Sequence, residues 1–455
     1  MRKDTEYDKL VAPYKDELRK ALEGFVSINS VYDEASSDEE NPFGKGVSKA
    51  LNFFYELAKK DGFTATNYGN KVVEVLVGKG EKNITIMAHA DVVPEGTGWD
   101  VEPYAVTEKD GVLFGRGVAD DKGPLLATYY ALKALRDNNL LGNYQVRFLC
   151  GGNEESGSKG IEYYFHTLKK AQPTLGFSPD SDFPLIFAEK GIMNFVASKD
   201  FAIPHVYSIK GGVAFNSVIE RCEVEMDEDQ KFIDCLNKNN ENFELFDRNG
   251  HKVVAFIGKA AHGSIPWEGV NAAINAVKAL GNYYNNEILK DFIRLFESPK
   301  GEGFKANRYN PEMFDNSSNL GIFSYENNHL DAVFNFRFIN TTSYDEMSEV
   351  ISKNCAPFEI KMQYGCDPLY FAKDSVLVDT LLKAYQEETG DYETQPKSTG
   401  GGTYAKEANN VVAFGMEFPG WKSNMHSPGE QVKVEQLEKG MSIYARAIIE
   451  LGKKL

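Results

Sequence analysis

Met87-Ala88-His89-Ala90-Asp91-Val92-Val93-Pro94 follows directly on the apolar run Ile84-Thr85-Ile86, and this junction decides the fold. The run has the composition of a buried strand, so His89 and Asp91 fall at the strand's C-terminal end. In open α/β sheets that edge is where ligand sites are built. Further on, G-R-G-V-A-D-D-K-G-P (115–124) puts Asp120 and Asp121 on a Gly-flanked turn that opens a helix. One imidazole and several carboxylates near strand ends suggest a metal site.

Working outward, the same pattern recurs. Val72–Val77 is strand-like, and Leu125, Leu126, Tyr129, Leu132 and Leu135 mark a helix. Gln145–Cys150 is a short strand running into G-G-N-E-E-S-G (151–157). Thr174–Phe177 leads to S-P-D-S-D-F-P (178–184). Strand, loop and helix alternate, which predicts a sheet with helices on its faces. From about Ile192 the character changes to strand-like segments separated by polar stretches, with helices at Asp227–Asn237, Val270–Asn282 and Tyr344–Asn354. This reads as an inserted α+β domain. The chain then returns through S-T-G-G-G-T-Y (398–404), a strand at Val411–Phe414, N-M-H-S-P-G-E (424–430) and a final helix near Val434–Leu451. The expected organisation is a catalytic domain in two segments, 1–191 and 374–455, around an insert at 192–373.

Composition narrows the class. The 455 residues suggest roughly two to four domains, and 42% hydrophobic residues allow a sizeable core. A net charge of −17 argues against a nucleic-acid surface, where a basic stripe is expected. The opening Met1–Glu6 is charged and no run approaches a membrane span, so no membrane association is expected. Five cysteines without C-x-x-C spacing argue against a disulfide framework or a zinc knuckle. A reducing cytoplasm is the simplest expectation.

Besides His89, the acids Asp120, Glu154-Glu155 and Asp180 lie at strand ends or Gly/Pro-bounded turns, and His426 follows another short strand. Each feature alone is commonplace: an E-E pair is usually a solvated surface, and so is D-D-K. Seven histidines are sparse, however, and three fall in Gly/Ser/Pro-rich loops beside acids. His166, His205, His251 and His329 lack that context and read as structural or surface residues. Imidazole with carboxylate suits zinc, or manganese or cobalt, while the absence of thiolates argues against a structural zinc site. Two metal ions need a bridging carboxylate plus two ligands each. One Asp bridge, two His, one Asp and one Glu fit that count, leaving one Glu to move protons. A P-loop is excluded by the missing G-K-[ST], and a serine elbow by the missing G-x-S-x-G. The glycines Gly401 and Gly402 suggest instead a backbone that approaches a ligand closely.

Together these motifs resemble the dinuclear zinc family of aminoacylases, glutamate carboxypeptidases, succinyl-diaminopimelate desuccinylases and PepV-type dipeptidases. The D-D-K-G-P, S-P-D-x-x-F-P and G-G-G-T-Y forms are most similar to the PepV and carnosinase-like branch. The resemblance implies an α/β zinc-peptidase catalytic domain, with a central mixed sheet flanked by helices and an inserted α+β lid. It implies that His89 and Asp180 hold one metal, Glu155 and His426 the other, and Asp120 bridges both. It gives Glu154 the role of general base and later acid, and Asp91 that of orienting the His89 imidazole. The bond Asp120-Asp121 is expected to be cis. A-A-H-G-S-I-P-W-E-G-V-N-A (260–272) resembles the lid histidine motif and nominates His262 for the developing oxyanion. K-G-G-V-A-F-N-S-V (210–218) nominates Asn216, although Ile219 replaces the family's proline, and N-F-R-F (335–338) nominates Arg337 for a substrate carboxylate.

The implied activity is hydrolysis of dipeptides, broad or Xaa-His in preference, by a metal-bridging water with Glu154 as base. The expected form is a cytoplasmic monomer with two divalent ions, zinc first. The alternative is an N-acyl amino acid amidohydrolase, such as an aminoacylase or desuccinylase. A binding protein that has lost the chemistry is disfavoured by the intact ligand set, and a purely structural metal by the extra acid beside it.

Overall fold

The computed structural model describes all 455 residues, Met1–Leu455. They form two compact units: residues 1–188, 371–397 and 403–455, and residues 189–370 with 398–402. The short stretch Ser398–Gly402, read from sequence as part of the returning segment, groups with the second unit. No helix is long and apolar enough to cross a membrane.

The first unit is built on a mixed sheet. Its order runs Thr64–Tyr68, Val72–Gly78, Gln145–Gly151, Asn83–His89, Leu175–Ser178, Val411–Ala413 and Ile186–Glu189. The central four strands, from Gln145–Gly151 to Val411–Ala413, are mutually parallel, and antiparallel strands flank them. Every residue of Asn83–His89 is buried, as expected of a strand covered on both faces. Parallel neighbours end at one edge, and His89 lies opposite Gly151 in the register. That edge therefore receives three successive loops: the one after His89, the one after Gly151 and the one after Ser178.

Helices Lys45–Lys60, Lys122–Asp137 and Val434–Gly452 pack against this sheet. Phe54 carries much of the contact, with its ring 5.3 Å from Tyr129 and 5.5 Å from Phe148. It is fully buried, and truncation to Ala would cost roughly 3–5 kcal/mol. The Lys122–Asp137 helix starts directly after Asp121 and is buried along its first three turns. Lys122 is itself fully buried, donating to the carbonyls of Phe25 (3.1 Å) and Ile28 (2.8 Å). Burial lowers its pKa to about 7.

The second unit is an antiparallel sheet ordered Phe243–Arg248, His251–Ile257, Arg221–Met226, Val206–Gly211, Ser317–Glu326, His329–Phe338, Gly191–Asp200 and Glu359–Cys366. Helices Ala272–Tyr283 and Glu287–Phe296 supply the other half of its core. Phe292, Phe296, Phe334 and Phe358 interlock there with centroids 4.6–6.3 Å apart. The expected helix Tyr344–Asn354 has those bounds, and Ser343 with Glu346 forms a capping box at its start. The strand Ser317–Glu326 and the helix Glu287–Phe296 were not expected from the sequence.

Candidate active site

At the C-terminal edge of the parallel strands, six side chains converge: His89, Asp120, Glu154, Glu155, Asp180 and His426. Asp120 is central. Its Oδ1 lies 3.1 Å from His89 Nε2, and its Oδ2 lies 2.9 Å from His426 Nε2. Asp180 Oδ2 is 3.7 Å from the same nitrogen of His89, and Glu155 Oε2 is 3.2 Å from that of His426. Two groups result, His89–Asp120–Asp180 and Asp120–Glu155–His426, each with donor atoms within 4.8 Å of one another. Either group could hold a metal ion, and they share one carboxylate.

The backbone explains the convergence. His89 closes its strand, Asp180 lies two residues past Ser178, and Glu154 and Glu155 leave the Gln145–Gly151 strand through Gly152-Asn153. Gly151 permits this exit, since a side chain there would collide with the Tyr404 hydroxyl. The Asp120-Asp121 peptide is cis. His426 sits at φ +61°, in the left-handed region that His, Asn and Asp enter more readily than other side chains.

Second contacts hold these groups. His89 Nδ1 bonds the backbone carbonyl of Asp91 at 2.9 Å, whereas the Asp91 carboxylate is 3.5 Å away. A carbonyl can only accept, so Nδ1 carries a proton, and a cation bound at Nε2 would replace the proton that the Asp120 carboxylate otherwise draws there. The Asp91 carboxylate is occupied instead by the amides of Glu154 and Glu155, at 3.1 Å each. Asp121 accepts from the His89 amide at 3.1 Å. Tyr404, which sequence reading passed over as the end of a glycine loop, sets its ring edge-on to His89 with centroids 6.1 Å apart.

Electrostatics mark the site as strained by like charge. Burial, then Asp120, raises the Asp180 carboxyl to about 7. Burial and Asp180 push Glu154 well above the carboxylate range, and burial and Asp120 raise Glu155. Desolvation opposes the charged form of His426, yet Asp120 and Glu155 lift it to about 11. His89 is lifted likewise by Asp120 and Asp91 against its burial. Four acids and two imidazoles in one nest are satisfied by added positive charge. Glu155 Oε1 is buried without a hydrogen-bond partner.

The remaining nominated residues belong to the second unit. His262 Nδ1 is 2.7 Å from Ser264 Oγ. The Gly263 amide donates to the Asn216 carbonyl at 2.7 Å, so the His262 and Asn216 loops lie side by side. Asn319 secures the second loop by donating to the carbonyls of Phe215 (2.9 Å) and Ser217 (3.0 Å). Arg337 is 5% exposed on its strand. Its Nε donates to Asn335 at 2.9 Å, and its Nη1 to the Gly400 carbonyl, beside Gly401 and Gly402. Burial lowers its pKa to about 10, so it stays charged at neutral pH. His205 and His329 are exposed partners of Asp227 and Asp200.

Known proteins are similar to this chain in sequence and in fold. A "Putative dipeptidase" of Staphylococcus aureus (strain MRSA252) is 33% identical over 467 residues, spanning 97% of this chain and 98% of its own length. The solved M20 family metallo-carboxypeptidase Sso-CP2 from Sulfolobus solfataricus has a TM-score of 0.62 at 20% identity, covering 97% of this chain and 100% of that one. Human carnosine dipeptidase 1 has a TM-score of 0.60 at 15% identity, covering 98% of each chain. Residues 85–450 match the model of peptidase family M20/M25/M40, a span that contains all six converging side chains. By that match and by the full-length relative, the chain belongs to peptidase family M20/M25/M40.

Proposed function

We propose that this peptidase hydrolyses the peptide bond of dipeptides with the help of two divalent cations, zinc foremost. The observation that carries this reading is Asp120, whose two oxygens face two different imidazoles at 3.1 and 2.9 Å. The donor set fits such ions: nitrogen and carboxylate oxygen without thiolate, with a buried, unbonded Glu155 oxygen among them. His89, Asp120 and Asp180 would hold one ion, and Asp120, Glu155 and His426 the other. When bound, the ions supply Lewis acidity that polarises the scissile carbonyl and acidifies water.

The chain's own residues supply the proton path. Glu154 belongs to neither donor group, yet its neighbour does, so it is the acid left for chemistry. As general base it takes one proton from the attacking water while the oxygen bonds to the carbonyl carbon. As general acid it gives that proton to the amine nitrogen when the C–N bond breaks. Burial, then Asp180, raises this carboxyl above its ordinary value, which favours its holding the proton between the two steps. His262 and Asn216 would donate to the carbonyl oxygen as it gains charge, and Arg337 would pair with the substrate carboxylate. Gly401 and Gly402 would offer backbone to the substrate. The second unit is read as a lid that selects short substrates, and the enzyme as a cytoplasmic monomer with its cysteines reduced.

Turnover of Leu-Leu and Ala-His, compared with N-acetyl and N-succinyl amino acids, tests the proposal. Dipeptide hydrolysis abolished by chelation and restored by zinc is the expected result. Preference for the acylated compounds would replace dipeptidase by amidohydrolase, and chelator-resistant hydrolysis would remove the metal reading.

A further inference from the structure

Arg116 and Glu430 lie 314 residues apart in sequence and meet inside the first unit, with side chains 1% and 0% exposed. Arg116 Nη1 donates to Glu430 Oε2 at 2.7 Å. The other oxygen of Glu430 receives three backbone amides: Gly117 at 3.0 Å, Ala119 at 2.9 Å and Asp120 at 3.1 Å. Arg116 Nη2 reaches the carbonyls of Pro94 at 3.2 Å and Glu95 at 3.3 Å, and the guanidinium lies 5.3 Å from the Trp99 ring centroid.

These partners sit on three different loops. Pro94 and Glu95 follow His89 and Asp91, Gly117–Asp120 carry the shared carboxylate, and Glu430 comes four residues after His426. The segment 115–121 has no helix or ladder of its own. The amides of Gly117, Ala119 and Asp120 would lose their partner without the Glu430 carboxylate, each costing about 1–3 kcal/mol where buried. One carboxylate thus fixes the backbone of Asp120, and one guanidinium ties that carboxylate to the loop beyond His89.

We propose that Arg116 and Glu430 are a positioning pair that makes Asp120 a shared ligand, by holding its carboxylate within reach of His426 as well as His89. The inference rests on the two-cation reading above. His89 and Asp180 are anchored at or just beyond strand ends, so two of their group's three members stay in place when the Asp120 loop loosens. Glu155 and His426 come from irregular loops, and His426 shares its loop with Glu430, so their group is the more exposed to the loss.

The test is titration of the metal-stripped whole protein with Co2+, followed by visible absorption and paired with thermal melting. Wild type is expected to bind two equivalents. In Glu430→Gln the side-chain amide must point its N–H groups at Arg116 or at the three backbone amides. That variant is expected to keep the first equivalent and to weaken the second by about 10–100-fold. Glu430→Asp keeps the charge for Arg116 and shortens the reach, which covers the case in which the glutamine variant does not fold. The same loss of the second equivalent is expected from it. Two equivalents at wild-type affinity in a folded variant would overturn the proposal. So would equal weakening of both in step with a fallen melting temperature, which describes a merely structural ion pair. Wild type binding fewer than two equivalents would instead remove the two-cation reading.

Discussion

The carboxylate of Asp91 accepts the backbone amides of Glu154 and Glu155, one on each oxygen at 3.1 Å, and stays 3.5 Å from the His89 imidazole, whose shorter bond of 2.9 Å goes to the Asp91 carbonyl. Resemblance alone assigned that carboxylate to His89. The arrangement found makes Asp91 the support of the loop that carries the proposed base. Asp91→Asn can satisfy one amide and must turn its N–H groups on the other. Turnover should fall about 10–100-fold with the cation content unchanged. Metal analysis beside kcat decides the matter: lost cation with normal turnover after reloading would return Asp91 to the imidazole.

Glu154→Gln keeps the shape of the side chain and removes its ability to take a proton. General acid–base catalysis contributes about 10²–10⁴-fold, so kcat should drop by that order. Cation binding should persist, because Glu154 lies outside both donor groups. Full activity in a cation-loaded variant would give the proton step to another residue.

Much of this site is legible in sequence for a physical reason. A buried strand must be apolar, so a polar residue directly after Ile84-Thr85-Ile86-Met87-Ala88 announces a strand end, and parallel neighbours bring such ends together. The Arg116–Glu430 contact leaves no such trace, since both residues read as charges in glycine-rich loops and only the closed fold joins them. Atom-level choices are equally silent: H-x-D does not say whether the Asp91 carbonyl or carboxylate meets the ring. The strand Ser317–Glu326 is hidden by composition. Its buried Ser317, Ser318 and Asn319 look like a loop, and Gly321 looks like a breaker. Gly321 is there because the Phe215 backbone passes where a side chain would stand. The Glu287–Phe296 helix does carry a signal, with the Asn286 cap followed by Leu289, Phe292 and Phe296 on one face.

Arg337 offers a separable prediction about binding. Its Nε and Nη1 are tied to Asn335 and Gly400, which fixes the plane of the guanidinium. Arg337→Lys keeps the charge and loses that planar fork. If Arg337 pairs with a substrate carboxylate, KM for dipeptides should rise about 10–100-fold, the equivalent of one charge-assisted bond, with kcat little changed. A dipeptide amide, which lacks the carboxylate, should be hydrolysed equally by both proteins. An equal loss on the two substrates would reduce Arg337 to a support for the Gly400 loop.

Stability of the metal-stripped protein should fall as pH rises, and added zinc should oppose this. Asp180 is raised from 3.8 to about 7, so across that window the folded chain keeps a proton that the unfolded chain has released. Raising pH through the window therefore favours unfolding. His426 is raised from 6.5 to about 11 by Asp120 and Glu155 against its desolvation. Its contribution is complete below pH 6.5 and is lost as pH climbs towards 11. Asp180 acts up to about pH 7 and His426 from about pH 6.5 upward, so between pH 5.5 and 8.5 one hands over to the other with the same sign. Cations displace these protons, so their binding strengthens over the same interval. The melting temperature gained on adding zinc should be small at pH 5.5 and large at pH 8.5. Scanning calorimetry of stripped and reloaded protein measures this gain. A gain independent of pH would mean that zinc binds away from the Asp120 nest.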